Sequence, residues 1–123
     1  MLALQPSTDK LLLNKLSSAI FAKEFNGDTG FVLYLKSEPI GVAKIKVAPD
    51  VSYIIELGII NEERGRGYGD FFTRSLLNAL SFVSDKIAVS YVSGYFNKFG
   101  FKQNGTEMII DAENLVFPKK CEE

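Results

Sequence analysis

NEERGRGYGDFF, residues 61–72, is the stretch that decides the fold of this chain. It follows YIIELGII at 53–60, an almost continuously apolar run that predicts a central strand covered on both faces. Beyond it, apolar side chains recur at helical spacing, which predicts a helix over about 67–83. That helical stripe consists of Phe72, Leu76, Ala79, Leu80 and Val83. The quoted stretch therefore contains the turn that joins a buried strand to a long helix.

This turn places three glycines, Gly65, Gly67 and Gly69, at alternate positions beside Arg64 and Arg66. Where a strand ends and a helix begins, unpaired backbone N–H groups point in one direction at the positive end of the helix dipole. Such a nest binds anions, above all phosphate, and glycine keeps side chains out of the ligand's way. The plainer interpretation is a tight turn, for which one glycine would be enough. Three glycines flanked by arginines favour a phosphate-bearing ligand.

The spacing of the glycines narrows the kind of phosphate site. The dinucleotide pattern GxGxxG fails because its third glycine would fall on Asp70, and GxxxxGK[ST] is absent. The pattern RxxGxG fits, with Arg64, Gly67 and Gly69 at its fixed positions.

The rest of the chain predicts five further strands and two further helical segments. The strands lie at 2–5, in a hairpin over 31–47 that turns at Ser-Glu-Pro, at 86–92 and at 106–111. One helix begins with Thr8 as N-cap and faces the core with Leu12, Leu16, Ala19 and Ile20, and a short helical turn ends at Gly100. This order predicts a single α+β domain over residues 1–123, with an antiparallel meander and one central βαβ crossover.

The composition excludes several kinds of site. The 123 residues carry 14 Lys and Arg against 15 Asp and Glu, with a pI of about 5.5, which argues against a nucleic-acid partner. Histidine is absent, so a Ser-His-Asp site and a histidine-bound zinc are excluded, and no metal is expected. Cys121 is the only cysteine, which predicts a reducing, cytoplasmic location. The apolar runs at the N-terminus are too short for a signal peptide or a spanning helix, so no membrane association is expected.

Four segments together resemble the GNAT superfamily of acyl-CoA-dependent N-acetyltransferases. RGRGYG at 64–69 satisfies the family signature [RQ]xxGx[GA], and LGIINEE before it resembles the strand that ends five residues ahead of the motif arginine. YFNKFGF at 95–101 and the hairpin sequence EPIGVAKIKV resemble two further family segments. The resemblance extends over residues 2–111. It implies a GNAT-type fold whose mixed, mostly antiparallel sheet has a splayed fourth and fifth strand.

The resemblance also implies a coenzyme and its binding residues. The backbone N–H groups of residues 65–69, which include Tyr68, would hold the pyrophosphate of acetyl-CoA. The backbone of Ile59 would bind the pantetheine arm and polarise the thioester carbonyl, with the arm lying between the splayed strands. Arg66 either meets a phosphate or is solvated. Gly58 is either tolerated within the strand because the fourth and fifth strands splay apart, or it marks a β-bulge.

The catalytic residues are less clearly implied. The family's thiolate-protonating tyrosine would fall on Phe96, which cannot donate a proton, and Tyr95 beside it is the candidate acid. Glu56 is the only carboxylate in the apolar strand and is the candidate base or amine anchor, with a paired structural role as the alternative. Tyr53 and Tyr91 are weaker candidates for a water relay.

Two functions of different class follow. The first is an N-acetyltransferase that transfers acetyl from acetyl-CoA to a primary amine of a small molecule or protein. The second is a catalytically weak acyl-CoA-binding module of the same fold, which Phe96 would permit. An RNA-contacting Arg-Gly patch is disfavoured by the acidic pI. The last strand and LVFP at 115–118 suggest a surface for a homodimer.

Overall fold

The structure is a computed structural model and describes residues 1–27 and 29–118, so Cys121 lies outside the described part. The strands are β1 Leu2–Ser7, β2 Gly30–Leu35, β3 Glu38–Lys46, β4 Val51–Ile59, β5 Lys86–Val89, β6 Lys102–Asn104 and β7 Glu107–Asp111. The helices are α1 Lys10–Phe21 and α2 Tyr68–Ser81, with 3-10 turns at Asn61–Glu63, Gly94–Phe99 and Ala112–Asn114.

These strands form one seven-stranded sheet in the order β1-β2-β3-β4-β5-β7-β6. Every neighbouring pair is antiparallel except β4 and β5, which run parallel and are joined through α2. The predicted α+β fold with one βαβ crossover is therefore confirmed.

The two helices cover opposite faces of the sheet because successive strand residues point to opposite sides. Leu13 and Leu16 of α1 pack with Val32 and Val42. Residues next to these valines, Leu33 and Ala43, pack instead with Phe72 and Leu76 of α2. The sheet is thus the middle layer, and the turn of residues 64–69 lies where β4 leads into α2.

The fourth and fifth strands separate part of the way along, as predicted. Val51–Ile54 of β4 pair with Lys86–Val89, and the N–H of Ser90 donates to the Ile54 carbonyl at 3.0 Å. Beyond Ile54, β4 continues to Ile59 while β5 has ended, so residues 55–59 are paired to β3 alone within the described chain. An open slot results on the β5 side of β4.

Several local predictions are wrong. Asp9 rather than Thr8 caps α1, because its side chain accepts the Leu12 N–H. The buried face of α1 is Leu13, Leu16 and Ser17, so Ala19 is exposed, and Val83 lies beyond the end of α2. Helix ends and faces shift by one residue when tertiary packing selects among neighbouring apolar positions.

Strand boundaries also differ from the prediction. The hairpin turns at Lys36 and Ser37, which have φ of 51° and 73°, so that Glu38 and Pro39 belong to β3. β5 ends at Val89, three residues early. β6 was not predicted, since its three residues are polar and exposed and give no alternating pattern.

Candidate active site

The turn before α2 has the backbone geometry of an anion nest. Gly65 and Gly67 have φ of 81° and 84°, in the left-handed region that glycine adopts at low cost. Gly67 is the N-cap of α2 and has no capping side chain, and its carbonyl accepts the Phe71 N–H at 3.1 Å. The N–H groups of Tyr68, Gly69 and Asp70 therefore open the helix without an intrahelical acceptor.

Gly69 differs from the other two glycines of the turn. It is helical, and a Cβ added to it would meet only Ile59 Cγ1 at 3.7 Å, an ordinary contact. Neither backbone strain nor packing within the described chain requires glycine here. Glycine in a helix interior costs about 1 kcal/mol relative to alanine.

The two arginines of the turn have different environments. The Arg64 Nε donates to the Ile59 carbonyl at 3.0 Å and so ties the turn to the end of β4. Arg66 is 62% exposed and its Nη1 lies 3.8 Å from Oε1 of Glu63. Arg64 thus has a structural contact, whereas the charge of Arg66 is accessible beside the nest.

The register of β4 determines which backbone groups face the slot. The N–H of Ile60 donates to the Ile40 carbonyl at 2.8 Å. Backbone groups of an antiparallel strand alternate between its two sides, so the N–H groups of Ile59 and Leu57 point away from β3 and into the slot. The Ile59 carbonyl is taken by Arg64, which leaves its N–H as the accessible group.

A β-bulge in β4 produces this alignment. Lys44 pairs with Glu56 whereas Ile45 pairs with Ile54, so Ile55 is the extra residue. Without this extra residue, the N–H groups of Glu56 and Gly58, rather than those of Leu57 and Ile59, would point into the slot. The predicted alternative of a bulge at Gly58 is wrong, because Gly58 pairs regularly with Val42.

Gly58 is instead a contact point with α1. A Cβ at this position would lie 2.5 Å from Cγ2 of Ile20 and 3.0 Å from the Phe21 ring. Only glycine allows the C-terminal end of α1 to pack this closely on β4.

Glu56 lies on the α1 face of β4, the same face as Gly58. Its Oε2 is 2.5 Å from Nζ of Lys23, just beyond α1, and its side chain is 13% exposed. The structure therefore gives Glu56 a charged partner on the α1 face of the central strand, next to the bulge at Ile55.

Phe96, at the position of the family's tyrosine, is part of the core. Its ring is buried and makes edge contacts with Tyr91, Tyr95 and Phe101 at centroid distances of 6.1, 5.3 and 5.4 Å. It anchors the Gly94–Phe99 turn.

Tyr95 lies beside the first turn of α2, where its hydroxyl donates to Oδ1 of Asp70 at 2.5 Å. Burial and this hydrogen bond both raise the pKa of the Tyr95 phenol. Tyr95 therefore lies next to the nest, but its hydroxyl proton is engaged in a hydrogen bond to the Asp70 carboxylate.

Asp70 accepts hydrogen bonds from three side chains, two of which are distant from it in sequence. Besides Tyr95, it accepts from Arg74 Nε at 2.7 Å and from Lys98 Nζ at 3.0 Å. Burial opposes its charge, but these hydrogen bonds outweigh burial and hold the pKa of Asp70 at about 2. Sequence reasoning missed this cluster. The i,i+4 spacing of Asp70 and Arg74 could have indicated one pair, whereas the others depend on tertiary contacts.

Other features of the described residues are separate from this site. A cavity of about 540 Å³, lined by Ser81, Lys86 and Asp111 among others, lies at the opposite end of α2. Residues 1–27 and 29–118 hold no cluster of three or more His, Cys, Asp or Glu suited to a metal. Among the helices of this part of the chain, none is long and apolar enough to cross a membrane.

No family model matches the chain, and no curated protein matches it in sequence. Solved structures match it in fold. The ribosomal-protein-S18-alanine N-acetyltransferase from Escherichia coli gives a TM-score of 0.76 at 15% identity over 95% of this chain and 100% of that chain. Naa50 from Arabidopsis thaliana, in complex with the bisubstrate analogue CoA-Ac-MVNAL, gives 0.74 at 16% identity over 89% and 98%. A GNAT family acetyltransferase from Brucella melitensis in complex with acetyl-CoA gives 0.72 at 12% identity over 90% and 88%.

The chain therefore has the fold of the GNAT acetyltransferases, as the resemblance in sequence implied. At these identities the likeness is one of fold, and two of the matched structures contain CoA-derived ligands.

Proposed function

We propose that the chain is an acyl-CoA-dependent N-acetyltransferase that transfers acetyl from acetyl-CoA to a primary amine. The observation that carries the proposal is Gly69, a glycine that the fold does not need, in an uncapped helix start at the mouth of the β4/β5 slot. A pyrophosphate accepts hydrogen bonds from N–H groups of residues 65–69, and the accessible Arg66 adds positive charge. The pantetheine arm lies in the slot.

The chemistry requires little of the protein beyond alignment. The amine nitrogen attacks the thioester carbon, and the oxyanion accepts a hydrogen bond from the slot-facing N–H of Ile59. The C–N bond forms, the C–S bond breaks, and the thiolate leaves. Glu56, directly or through water, takes the proton that the amine loses.

Tyr95 is the proposed donor to the departing thiolate, and solvent can replace it. Its raised pKa makes the phenol a weak acid. An alkyl thiol has a pKa near 8.5, so the thiolate is a stable leaving group near neutral pH. Loss of the usual tyrosine at Phe96 is therefore compatible with turnover.

A catalytically weak acyl-CoA-binding module is the second candidate function. Two contacts favour it: the hydrogen bond that holds Tyr95 to Asp70 and the ion pair that holds Glu56 to Lys23. Both candidate catalytic groups would need to exchange a protein partner for substrate.

The proposal extends to the acceptor, the location and the oligomeric state. One matched structure is a ribosomal-protein-S18-alanine N-acetyltransferase, and another contains the bisubstrate analogue CoA-Ac-MVNAL. A protein N-terminus is therefore one acceptor to test beside small amines. A cytoplasmic location and the absence of nucleic-acid partners follow from composition alone. For a homodimer, β7 offers no free edge because it lies between β5 and β6, so strand pairing would use β1 or β6.

The deciding experiment is a thiol-release assay with acetyl-CoA and a panel of small amines and N-terminal peptides, run alongside calorimetric titration with CoA. Amine-dependent thiol release supports the transferase. Binding of CoA without thiol release supports the binding module, and absence of both rejects the proposed coenzyme.

A further inference from the structure

The backbone on both sides of Lys23 is fixed to α1. Ala22, just before it, has a left-handed φ of 61° and donates its N–H to a carbonyl in the last turn of α1 at 3.1 Å. Phe25, two residues after it, is buried and donates its N–H to Oδ1 of Asn14 at 2.9 Å. The loop after α1 therefore holds the Cα of Lys23 in a defined place relative to the sheet.

Lys23 directs a primary amine onto the strand that borders the slot. Its side chain is 59% exposed, yet its Nζ lies 2.5 Å from Oε2 of Glu56. Glu56 belongs to residues 55–59, the part of β4 that is paired to β3 and no longer to β5. Ion pairs with so exposed a partner contribute little to stability, so folding gives little reason for this contact.

Lys44 is a second lysine on the same face and serves as an internal comparison. It pairs with Glu56 across β3 and β4, so the two side chains point to the same side of the sheet. Its Cε would lie 3.6 Å from a Cβ added at Gly27, which places this side chain beside the loop after α1. Within residues 1–27 and 29–118, however, the ion pair of Glu56 is with Lys23.

We propose that the chain acetylates its own Lys23. The inference rests on the proposed function, which takes acetyl-CoA to lie in the slot and Glu56 to accept the proton of an amine. Lys23 presents to this carboxylate the chemical group that the proposed acceptor would bring.

The reaction balances with acetyl-CoA as the only other reactant. Glu56 takes a proton from the Lys23 ammonium and passes it to water. The neutral Nζ attacks the thioester carbon, the C–N bond forms and the C–S bond breaks. The second nitrogen proton reaches the leaving thiolate through water. The products are acetylated Lys23, free CoA thiol and one proton in solution.

The modification also changes the environment of Glu56. Acetylation removes the charge of a lysine and its capacity to form an ion pair. The Glu56 carboxylate would then be available to the amine of an external acceptor. The contact that favours a catalytically weak module is thus the contact that one round of acetyl transfer would remove.

Incubation of the full chain with acetyl-CoA and no added amine tests the proposal, with peptide mapping by mass spectrometry. Lys15, an exposed lysine of α1, reports the uncatalysed rate. General bases contribute about 10²- to 10⁴-fold, so Lys23 should be acetylated at least about tenfold faster than Lys15. The two rates should become equal in urea. Because both reacting groups belong to one chain, the acetylated fraction at a given time should not depend on protein concentration.

Lys23→Arg keeps the positive charge but lacks the acceptor amine, so it should lose the fast acetylation and keep its affinity for CoA. Lys15→Arg is the matched control and should be acetylated at Lys23 as the wild type is. Glu56→Gln should slow acetylation of Lys23 at least about tenfold.

Three results would each overturn self-acetylation: equal rates at Lys15 and Lys23 in the folded chain, faster acetylation of Lys44 than of Lys23, or an unchanged rate in Glu56→Gln. A rate that rises with protein concentration would also overturn it. If the same protein still releases thiol with external amines, the proposed function stands. A protein that neither binds CoA nor releases thiol removes the proposed function itself.

Discussion

At the scale of single residues, the three glycines of the turn have two different causes. Gly65 and Gly67 have left-handed backbone conformations, which an L side chain would strain. Gly69 has neither a strained backbone nor a close neighbour, so the folding of the described residues does not require glycine at this position. A substitution at Gly67 would alter both folding and ligand binding. A substitution at Gly69 does not strain the backbone, so it tests ligand binding separately from folding.

Gly69→Glu should weaken CoA binding, whereas Gly69→Ala should raise thermal stability slightly and keep CoA binding. The methyl group of alanine meets only Ile59 at contact distance, alanine favours helix by roughly 0.5–1 kcal/mol, and the signature [RQ]xxGx[GA] accepts alanine at this position. The longer, negatively charged side chain of Gly69→Glu would block a phosphate from the N–H nest, so the Kd for CoA should rise at least about tenfold. A thermal melt and calorimetric titration measure the two effects. Gly94→Glu, also with an open Cβ position, is the control, and an unchanged Kd in Gly69→Glu would contradict the site.

Glu56→Gln should lower turnover without changing the affinity for CoA. General bases contribute about 10²- to 10⁴-fold to a rate, so thiol release should fall at least about tenfold while the Kd stays constant. Lys23→Met removes the ion-pair partner but keeps the carboxylate, and it should retain turnover. If wild type and Glu56→Gln have equal turnover, Glu56 is not part of the mechanism and has only the paired structural role.

At the scale of elements, the site depends on how β4, α2 and the Gly94–Phe99 turn meet. The bulge at Ile55 aims the Ile59 and Leu57 amides into the slot, and the early end of β5 opens the slot. Asp70 then fixes the Gly94–Phe99 turn to the first turn of α2 through Tyr95 and Lys98. The Asp70 carboxylate, in the first turn of α2, therefore fixes how the Gly94–Phe99 turn lies beside the nest.

Asp70→Asn should lower stability at neutral pH but not at pH 2. The folded pKa of Asp70 is about 2, below its ordinary value of 3.8, so its charge stabilises the fold above about pH 4. That contribution is lost as the pH falls from about 4 to 2. At pH 7 the Tm of the variant should be about 5 °C lower, and thermal melts between pH 2 and 7 should show the difference disappear. A constant difference across this range would contradict the assignment.

At the scale of the whole molecule, three layers are held in register by close contacts rather than by long apolar runs. The α1 layer approaches β4 at Gly58, and the α2 layer lies over Ile59 on the opposite face. α1 therefore packs directly on the strand that borders the slot.

Gly58→Ala should destabilise the fold by about 1–3 kcal/mol, the usual cost of overpacking. The new methyl group would lie 2.5 Å from Ile20 Cγ2. In an Ile20→Ala background the closest clash partner is absent and only the Phe21 ring, 3.0 Å away, still crowds the methyl group, so the added cost of Gly58→Ala should be smaller. Chemical denaturation of the four proteins of this double-mutant cycle measures the coupling. Additive effects would show that Gly58 is not constrained by α1.

The sequence by itself determined the α+β order, the parallel pair around α2 and the glycine turn between them, because these depend on local periodicity and on glycine spacing. It also placed Gly65, Gly67, Gly69 and Ile59 at the turn and strand end where the structure has them. Only the tertiary structure decided the bulge at Ile55, the reason for Gly58 and the Asp70 cluster. These features come from contacts between segments far apart in the chain, and a pattern read along one segment contains no information about its partner.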